Sequence, residues 1–451
     1  MNTESLSLAN PDSLKLGFKQ KTGVILTFVG ITILALALFG IKLPLVLMLS
    51  ISLCSIFLGV VLFTHGTYQG HSAGVKNDYV WNSSLSGRGI IGWSLGLVLT
   101  LFYVLIYWFP EVLGLGVKGG ANSGLIALFD PLSQFFKHQP ASQWFVYGTL
   151  YTLLILAMGY KFIFKYRNNR YQIIRTISVM VAQLFFAYLI PEILEGLHSE
   201  KAYFAKDLKN MWPLNYYFFD TWHLNNMRQG GALGMFFLVW GILLFAVVAP
   251  IVTYFVGKRW YCSWICGCGG LAETAGDPFR QLSSKKTSSW KLERWLIHSV
   301  LLISVLMTAA LLYGYFQGTD TLFGLSIYRI IRQPYGFLIG SVFSGVIGVG
   351  FYPLLGSRVW CRFGCPLAAY LGIIQRFKSR FRITTNGGQC ISCGNCSTYC
   401  EMGIDVRAYA QKGQNIARAS CVGCGICAAV CPRGVLKLEN GPEIGRIKQD
   451  E

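Results

Sequence analysis

Charge is scarce in this sequence, and negative charge is scarcest. Asp and Glu number 20 among 451 residues, and charged residues of both signs make up only 13%, about half the usual share of a soluble domain. With 53% hydrophobic residues, that deficit argues against a water-soluble globule and calls for a non-aqueous environment. Cysteine is nearly missing from the first 260 residues, where Cys54 stands alone and reads most simply as a small buried hydrophobe. The other 13 of the 14 cysteines come later. Such crowding argues against the disulfide framework of short secreted chains and for reduced ligands. No secretory leader is expected, because the first 21 residues are polar and the first apolar run is too long for a leader's core. No phosphate-binding loop, dinucleotide fingerprint or Ser/His/Asp nucleophile pattern stands out either.

What the sequence has in abundance is long apolar runs. About 20 helical residues cross ~30 Å of hydrocarbon. Eight runs qualify: Thr22–Phe39, Leu43–Thr64, Gly89–Phe109, Gln143–Phe164, Ile173–Leu194, Ala232–Val256, Trp295–Phe316 and Gly336–Leu355. The first two should form a hairpin, or else one long tilted segment. Lys161, Lys165, Arg167, Arg170 and Arg175 lie between runs four and five, and Lys258, Arg259, Arg280, Lys285, Lys286, Lys291 and Arg294 follow run six. With eight spans these clusters share one side, which the distribution of Lys and Arg makes cytoplasmic. The expectation is a multi-pass protein of the bacterial cytoplasmic (inner) membrane, with both termini and all clustered cysteines in the cytoplasm. This placement accounts for the net charge of +19 without nucleic acid, so the expected partners are the lipid bilayer and redox molecules. The loop MWPLNYYFFDTWHLNNM (Met211–Met227) is aromatic enough to lie at the membrane interface.

The tail carries C-x2-C-x2-C-x3-C twice. Three cysteines on a tight loop cover three irons of a cubane, and in two-cluster ferredoxins the fourth cysteine serves the other cluster. The expected ligands are therefore Cys390, Cys393, Cys396 and Cys431 for one [4Fe–4S] cluster, and Cys421, Cys424, Cys427 and Cys400 for the second. Gly394, Gly423 and Gly425 suit the tight turns. Zinc knuckles are the bland alternative, but zinc sites favour two separated pairs or a Cys/His mix. One departure is visible: Cys400 is followed by Glu401, where Pro432 follows Cys431.

A second repeat is subtler. GKRWYCSWIC (Gly257–Cys266) and GSRVWCRFGC (Gly356–Cys365) align without gaps, each directly after an expected span. A C-x3-C pair on a helical turn puts both sulfurs on one face, and Arg259, Arg358, Trp260, Tyr261 and Trp360 suit the headgroup level. Cys262, Cys266, Cys361 and Cys365 together supply four thiolates for a third cluster or another soft metal, with Cys268 as an alternate. Plain structural thiols remain the competing reading. Nearby basic residues should favour the thiolate form.

Two membrane helices ending in such motifs and followed by a two-cluster ferredoxin tail resemble the membrane polyferredoxins of the NapH and NosR type. The related iron–sulfur assembly factor of cbb3 oxidases has a similar plan. The resemblance covers about residues 230 to 435. CRFGCP (Cys361–Pro366) matches the family's C-x3-C-P, whereas CSWICG (Cys262–Gly267) lacks its proline. The resemblance implies quinol-linked electron transfer to or from a redox protein.

The fold expected is an α-helical integral membrane protein of about eight transmembrane helices with a small C-terminal α+β bacterial-ferredoxin-like domain. Residues 1–230 form an N-terminal membrane module, 231–377 a module with the repeated cysteine motifs, and 378–451 the two-cluster domain. Intramembrane ionisable groups are functional candidates: Glu192, Glu195, His198, His223 and His298 are the ones a quinone or proton site could use. No second histidine within the spans partners His298, which argues against haem. The expected function is passage of electrons between the quinone pool and a redox partner through [4Fe–4S] clusters, as an electron-transfer subunit rather than a stand-alone enzyme. The alternative is a maturation or metal-handling factor, for example a copper-reducing one. A redox sensor comes third, for want of an output domain.

Overall fold

In the computed structural model, residues 16–39, 44–69, 88–117, 120–197, 207–319, 321–322 and 324–441 are described. Eight helices among them are long and apolar enough to cross a membrane: α1 (Phe18–Ala37), α2 (Leu45–Tyr68), α3 (Ile90–Trp108), α4 (Gln143–Lys165), α5 (Arg170–Leu197), α6 (Gly231–Val256), α7 (Thr287–Gln317) and α8 (Tyr328–Ile347). Their outer surfaces carry exposed Phe28, Trp93, Leu97, Phe236 and Leu306, as side chains facing lipid must. Cys54 faces outward too, so it is not the buried hydrophobe expected from its residue type.

The helices begin and bend for local reasons. Ser142 Oγ accepts from Phe145 N–H (3.2 Å) to cap α4, and Asn169 Oδ1 accepts from Gln172 N–H (3.2 Å) to cap α5. Pro191, Pro250 and Pro334 each follow a stretch of wide π-turns, at Ala182–Leu189, Leu244–Val248 and Tyr328–Arg332. Proline removes an N–H and crowds the carbonyl four residues back, and the widened turn relieves both. α1 and α2 pack closely: a Cβ on Gly23 would lie 2.7 Å from the Gly59 carbonyl, and Ser52 Oγ donates to Gly30 O (2.8 Å). Small residues at the crossing permit that approach.

Three expectations need correction here. α8 starts eight residues before the expected Gly336 and ends at Ile347. Its early turns hold Arg332, a charge that hides a span from a hydropathy reading but is neutralised by Asp220 (Nη2–Oδ2 2.8 Å). The second cysteine motif therefore does not directly follow a span; a turn and the short helix Tyr352–Leu355 intervene. Nor does the loop before α6 rest at the interface. It re-enters the bundle: Met211 is fully buried, Trp212 Nε1 donates to Thr308 Oγ1 on α7 (2.9 Å), and Tyr261 OH donates to Lys209 O (2.8 Å). Non-helical backbone at that depth is tolerated where protein buries it.

After α8 the chain forms α9 (Pro366–Lys378) and then the ferredoxin-type tail. Strand β1 (Phe381–Thr385) pairs antiparallel with β2 (Leu436–Asn440), with Phe381 opposite Asn440 and Thr385 opposite Leu436. Between the strands lie two cysteine loops, each leading into a one-turn helix, Asn395–Thr398 or Ile426–Ala429. Gly394 (φ 81°) and Gly425 (φ 75°), just before these one-turn helices, occupy the left-handed region, which only glycine adopts without strain.

Candidate iron–sulfur sites

The tail's eight cysteines gather into two groups. Cys390, Cys393, Cys396 and Cys431 line one small cavity with Arg407 and Arg433. Cys427 lies within electrostatic reach of Cys424, Cys421 and Cys400, and of Cys396 as well. In the first cavity the fourth cysteine of the second motif, Cys431, lies with the first three of the other motif. Cys393 is exposed, so the first group faces outward.

The second group is held by four consecutive carbonyls to α5, α9 and the segment after α6. Cys421 O accepts from Gln375 Nε2 (2.7 Å), Val422 O from Ser263 Oγ (2.9 Å), Gly423 O from Tyr171 OH (2.7 Å) and Cys424 O from Gln172 Nε2 (2.9 Å). The guanidinium of Arg259 stacks over Phe381 at 4.6 Å, so this arginine packs against the tail.

The paired C-x3-C motifs form a third group. Cys262, Cys266, Cys268, Cys361 and Cys365 line one cavity, walled by Leu214, Tyr261, Trp360, Leu367 and Ala368. Neither pair lies on a single helical turn, contrary to expectation. Cys262 ends a short helix and Cys266 caps the next, Gly267–Thr274; Cys361 lies in a wide turn and Cys365 caps α9. Ala368 N–H donates to Cys365 Sγ (3.4 Å), and Pro366 at the first helical position gives up an N–H that had no partner there. The first motif has Gly267 instead, where a Cβ would lie 2.6 Å from Gln183 Oε1 and would require that side chain to shift. Tyr261 and Trp360 are buried here rather than at headgroup level. Burial pushes the Cys262 thiol up to about 12 despite Lys258 and Arg358. Burial thus favours the protonated form of Cys262, where a bound metal would have to displace the proton, whereas the Cys268 thiol and Lys209 pull the neighbouring Cys266 down to about 6.

Arg358 is also buried, not interfacial. Its Nη1 lies 3.2 Å from Cys262 O and 3.7 Å from Cys361 Sγ, and its Nη2 reaches Glu273 and Glu401, the latter at 3.1 Å. Glu401, the residue in place of proline, is fully buried and also binds Arg280 (2.9 Å). Arg280 continues to Asp277 (2.7 Å), Asp277 to Lys165 (2.6 Å), and Glu273 to Arg175. This run of seven buried charges joins α4, α5, the loop after α6, the second cysteine motif and the tail. For Asp277, burial alone would raise the carboxyl, but Lys165 and Arg280 hold it below the ordinary range. For Glu401, Arg358 and Arg280 overcome burial in the same way.

The donor sets fit iron–sulfur clusters better than single ions. Zn–S bonds of about 2.3 Å draw tetrahedral sulfurs to within about 4 Å of one another. Among the described residues no three His, Cys, Asp or Glu side chains converge closely enough to hold one metal ion. A cubane takes each thiolate at a different corner, which suits groups gathered around a cavity.

The remaining candidates do not form one site. Glu192 and Glu195 share Lys137 (3.1 and 3.5 Å). His223 is buried with Nδ1 2.8 Å from Phe218 O. His298 lies in the half of α7 nearer the cysteine motifs, on a separate cavity. His198 lies outside the described residues.

Comparison with known proteins agrees with this geometry. A family described as a 4Fe-4S binding domain matches residues 238–286 and 338–384, the stretches that carry the paired motifs. A family described as a 4Fe-4S dicluster domain matches residues 389–436. The chain is 28% identical over 202 residues to the "Putative electron transport protein YccM" of Escherichia coli (strain K12), covering 41% of this chain and 52% of that protein. It is 28% identical over 172 residues to an uncharacterized protein of Methanocaldococcus jannaschii, covering 37% and 68%. The match thus spans about half the length of the first relative and about two thirds of the second. No solved structure matches. The chain is a membrane-associated protein with 4Fe–4S ferredoxin-type domains, similar in its motif-bearing half to YccM.

Proposed function

We propose that this protein carries electrons between a membrane quinone and a redox protein, through three iron–sulfur centres in series. The observation that carries this reading is continuity. The five-thiol cavity touches Arg358, Arg358 touches Glu401, and Glu401 adjoins Cys400 of the clamped group. Cys421, Cys424, Cys427 and Cys400 would hold the inner cluster. Cys390, Cys393, Cys396 and Cys431 would hold the outer one, with exposed Cys393 on the side open to a partner. Four of Cys262, Cys266, Cys268, Cys361 and Cys365 would hold the third. One-electron transfer is the chemistry such clusters supply. The protein's part is to bury the inner two, surround them with fixed cations and leave the outer one accessible. The setting is a bacterial inner membrane with the cysteines cytoplasmic, in keeping with the clustering of Lys and Arg on their side.

Metal handling has one observation in its favour: a fifth thiol, where a cubane needs four. Soft thiolates also bind Cu(I). One experiment separates the readings. Anaerobic protein is mixed with a short-chain menaquinol, and reduced-cluster signals are read by electron paramagnetic resonance, with dithionite defining full reduction. Quinol reduction of a substantial fraction supports the carrier. Reduction by dithionite alone, together with tight Cu(I) binding, supports metal handling instead.

A further inference from the structure

A cavity of about 550 Å³ lies between the first half of α7, helix α9 and the tail, within the range of small-molecule sites. It shares Cys361 and Ala368 with the five-thiol cavity, so its innermost wall is a candidate cluster ligand. Most of its cations are already engaged. Arg362 pairs with Glu293 (2.7 Å), Arg376 donates to Ala417 O (2.8 Å), and Arg294 and Arg418 lie over the Trp290 ring at 5.2 and 5.0 Å. Lys258 and His298 on its wall form no ion pair among the described residues. Lys258 is 1% exposed; its ammonium pairs with no described carboxylate and lies within electrostatic reach of the Cys262 and Cys421 thiols. His298 is exposed on the cavity wall. Exposed Ile373 and Phe377 continue the wall toward the lipid-facing surface.

We propose that this cavity binds the headgroup of a membrane quinol. The inference rests on the quinone-linked reading above and adds the site. A flat ring with two opposed oxygens matches an ammonium donor and an imidazole acceptor on one wall, and its prenyl tail matches the apolar exit past Ile373 and Phe377. Oxidation of one quinol to quinone breaks two O–H bonds. Both protons pass in turn to the imidazole of His298 and then to water at the cavity mouth. Both electrons would leave singly on the Cys361 side, where the five-thiol cavity would hold the iron–sulfur centre that accepts them and passes them to the tail. Lys258 acts before this step, by holding one quinol oxygen.

The test uses the iron-loaded full-length protein in nanodiscs and two probes: a photoactivatable azidoquinone and a fluorescent hydroxyquinoline N-oxide. The azidoquinone should label peptides spanning 290–298 or 369–377, and excess unlabelled quinone should suppress the labelling. His298→Ala and Ile373→Trp, both at accessible positions, should each weaken binding of the fluorescent probe about tenfold while dithionite still reduces every cluster. If quinol reduces the clusters but the label maps elsewhere and neither variant weakens binding, the site is wrong and the quinone reading stands. If neither probe binds and quinol reduces nothing, both fail. A co-purifying anionic phospholipid that fills the cavity and resists displacement by the quinone also overturns the proposal.

Discussion

Glu401→Ala is the sharpest perturbation of the buried charge run. In the parent, four cations (Lys165, Arg175, Arg280, Arg358) face three anions (Glu273, Asp277, Glu401). In the variant the same four face two, and Arg280 and Arg358, each 1% exposed, lose a partner. Removing one member of a buried pair costs about 3–5 kcal/mol. At about 1.4 kcal/mol per tenfold, the docked tail becomes roughly 150- to 5,000-fold less favoured over its released form. Of the seven charges only Glu401 belongs to the tail, so the loss should appear as release of the tail rather than collapse of the helices. Hydrogen exchange at the amides around Cys421–Cys424 reads that release directly, with peptides from α4 as the internal control. Glu401→Gln keeps hydrogen bonds without the charge and should fall between parent and Ala. Protection within about threefold of the parent in the Ala variant would refute the reasoning.

Other outcomes follow from the same geometry. Cys268→Ser should leave the iron content unchanged, whereas Cys361→Ser should remove about four of about twelve irons per chain, read by colorimetric iron assay. Gly425→Ala places a Cβ 2.8 Å from the Tyr171 ring at φ 75°, so the inner cluster's resonance should disappear while the outer one's persists. Arg332→Ala strands Asp220 inside the bundle and should cost about 3–5 kcal/mol, seen as earlier thermal aggregation; the double variant with Asp220→Asn should recover most of it. The depressed carboxyls of Asp277 and Glu401 set an acid limit. Glu401 stabilises the docked tail, and Asp277 the helix-side end of the run, fully above their unfolded values of about 4, and each contribution is lost as pH falls below that value. Docking by hydrogen exchange, corrected for the intrinsic rate, should therefore be flat through neutral pH and fail in acid, with the failure shallower in Glu401→Gln.

Much of this was legible because cluster spacing is local. C-x2-C-x2-C-x3-C is written in consecutive residues, and so are the apolar runs that became α1 to α7. What stayed hidden depends on distant partners. Glu401 stood out as a departure, yet its reason is Arg280, 121 residues earlier, and Arg358. Arg332 masked the start of α8 because the neutralising Asp220 lies 112 residues away. The aromatic loop Met211–Met227 reads like an interface segment, and nothing in its composition reveals that Leu214 reaches the thiols. Gly267 reads as a lost proline, and the side chain nearest it, Gln183, belongs to α5.

The claim at the centre of this account is that electrons enter the tail through the thiols at the membrane, and Cys361→Ser tests it most directly. Freeze-quenched resonance spectra of the anaerobic variant would be taken after mixing with menaquinol and, separately, with dithionite. The account predicts that dithionite reduces both tail clusters as in the parent, while quinol reduces neither. Quinol reduction of the tail clusters at the parent's rate would contradict it.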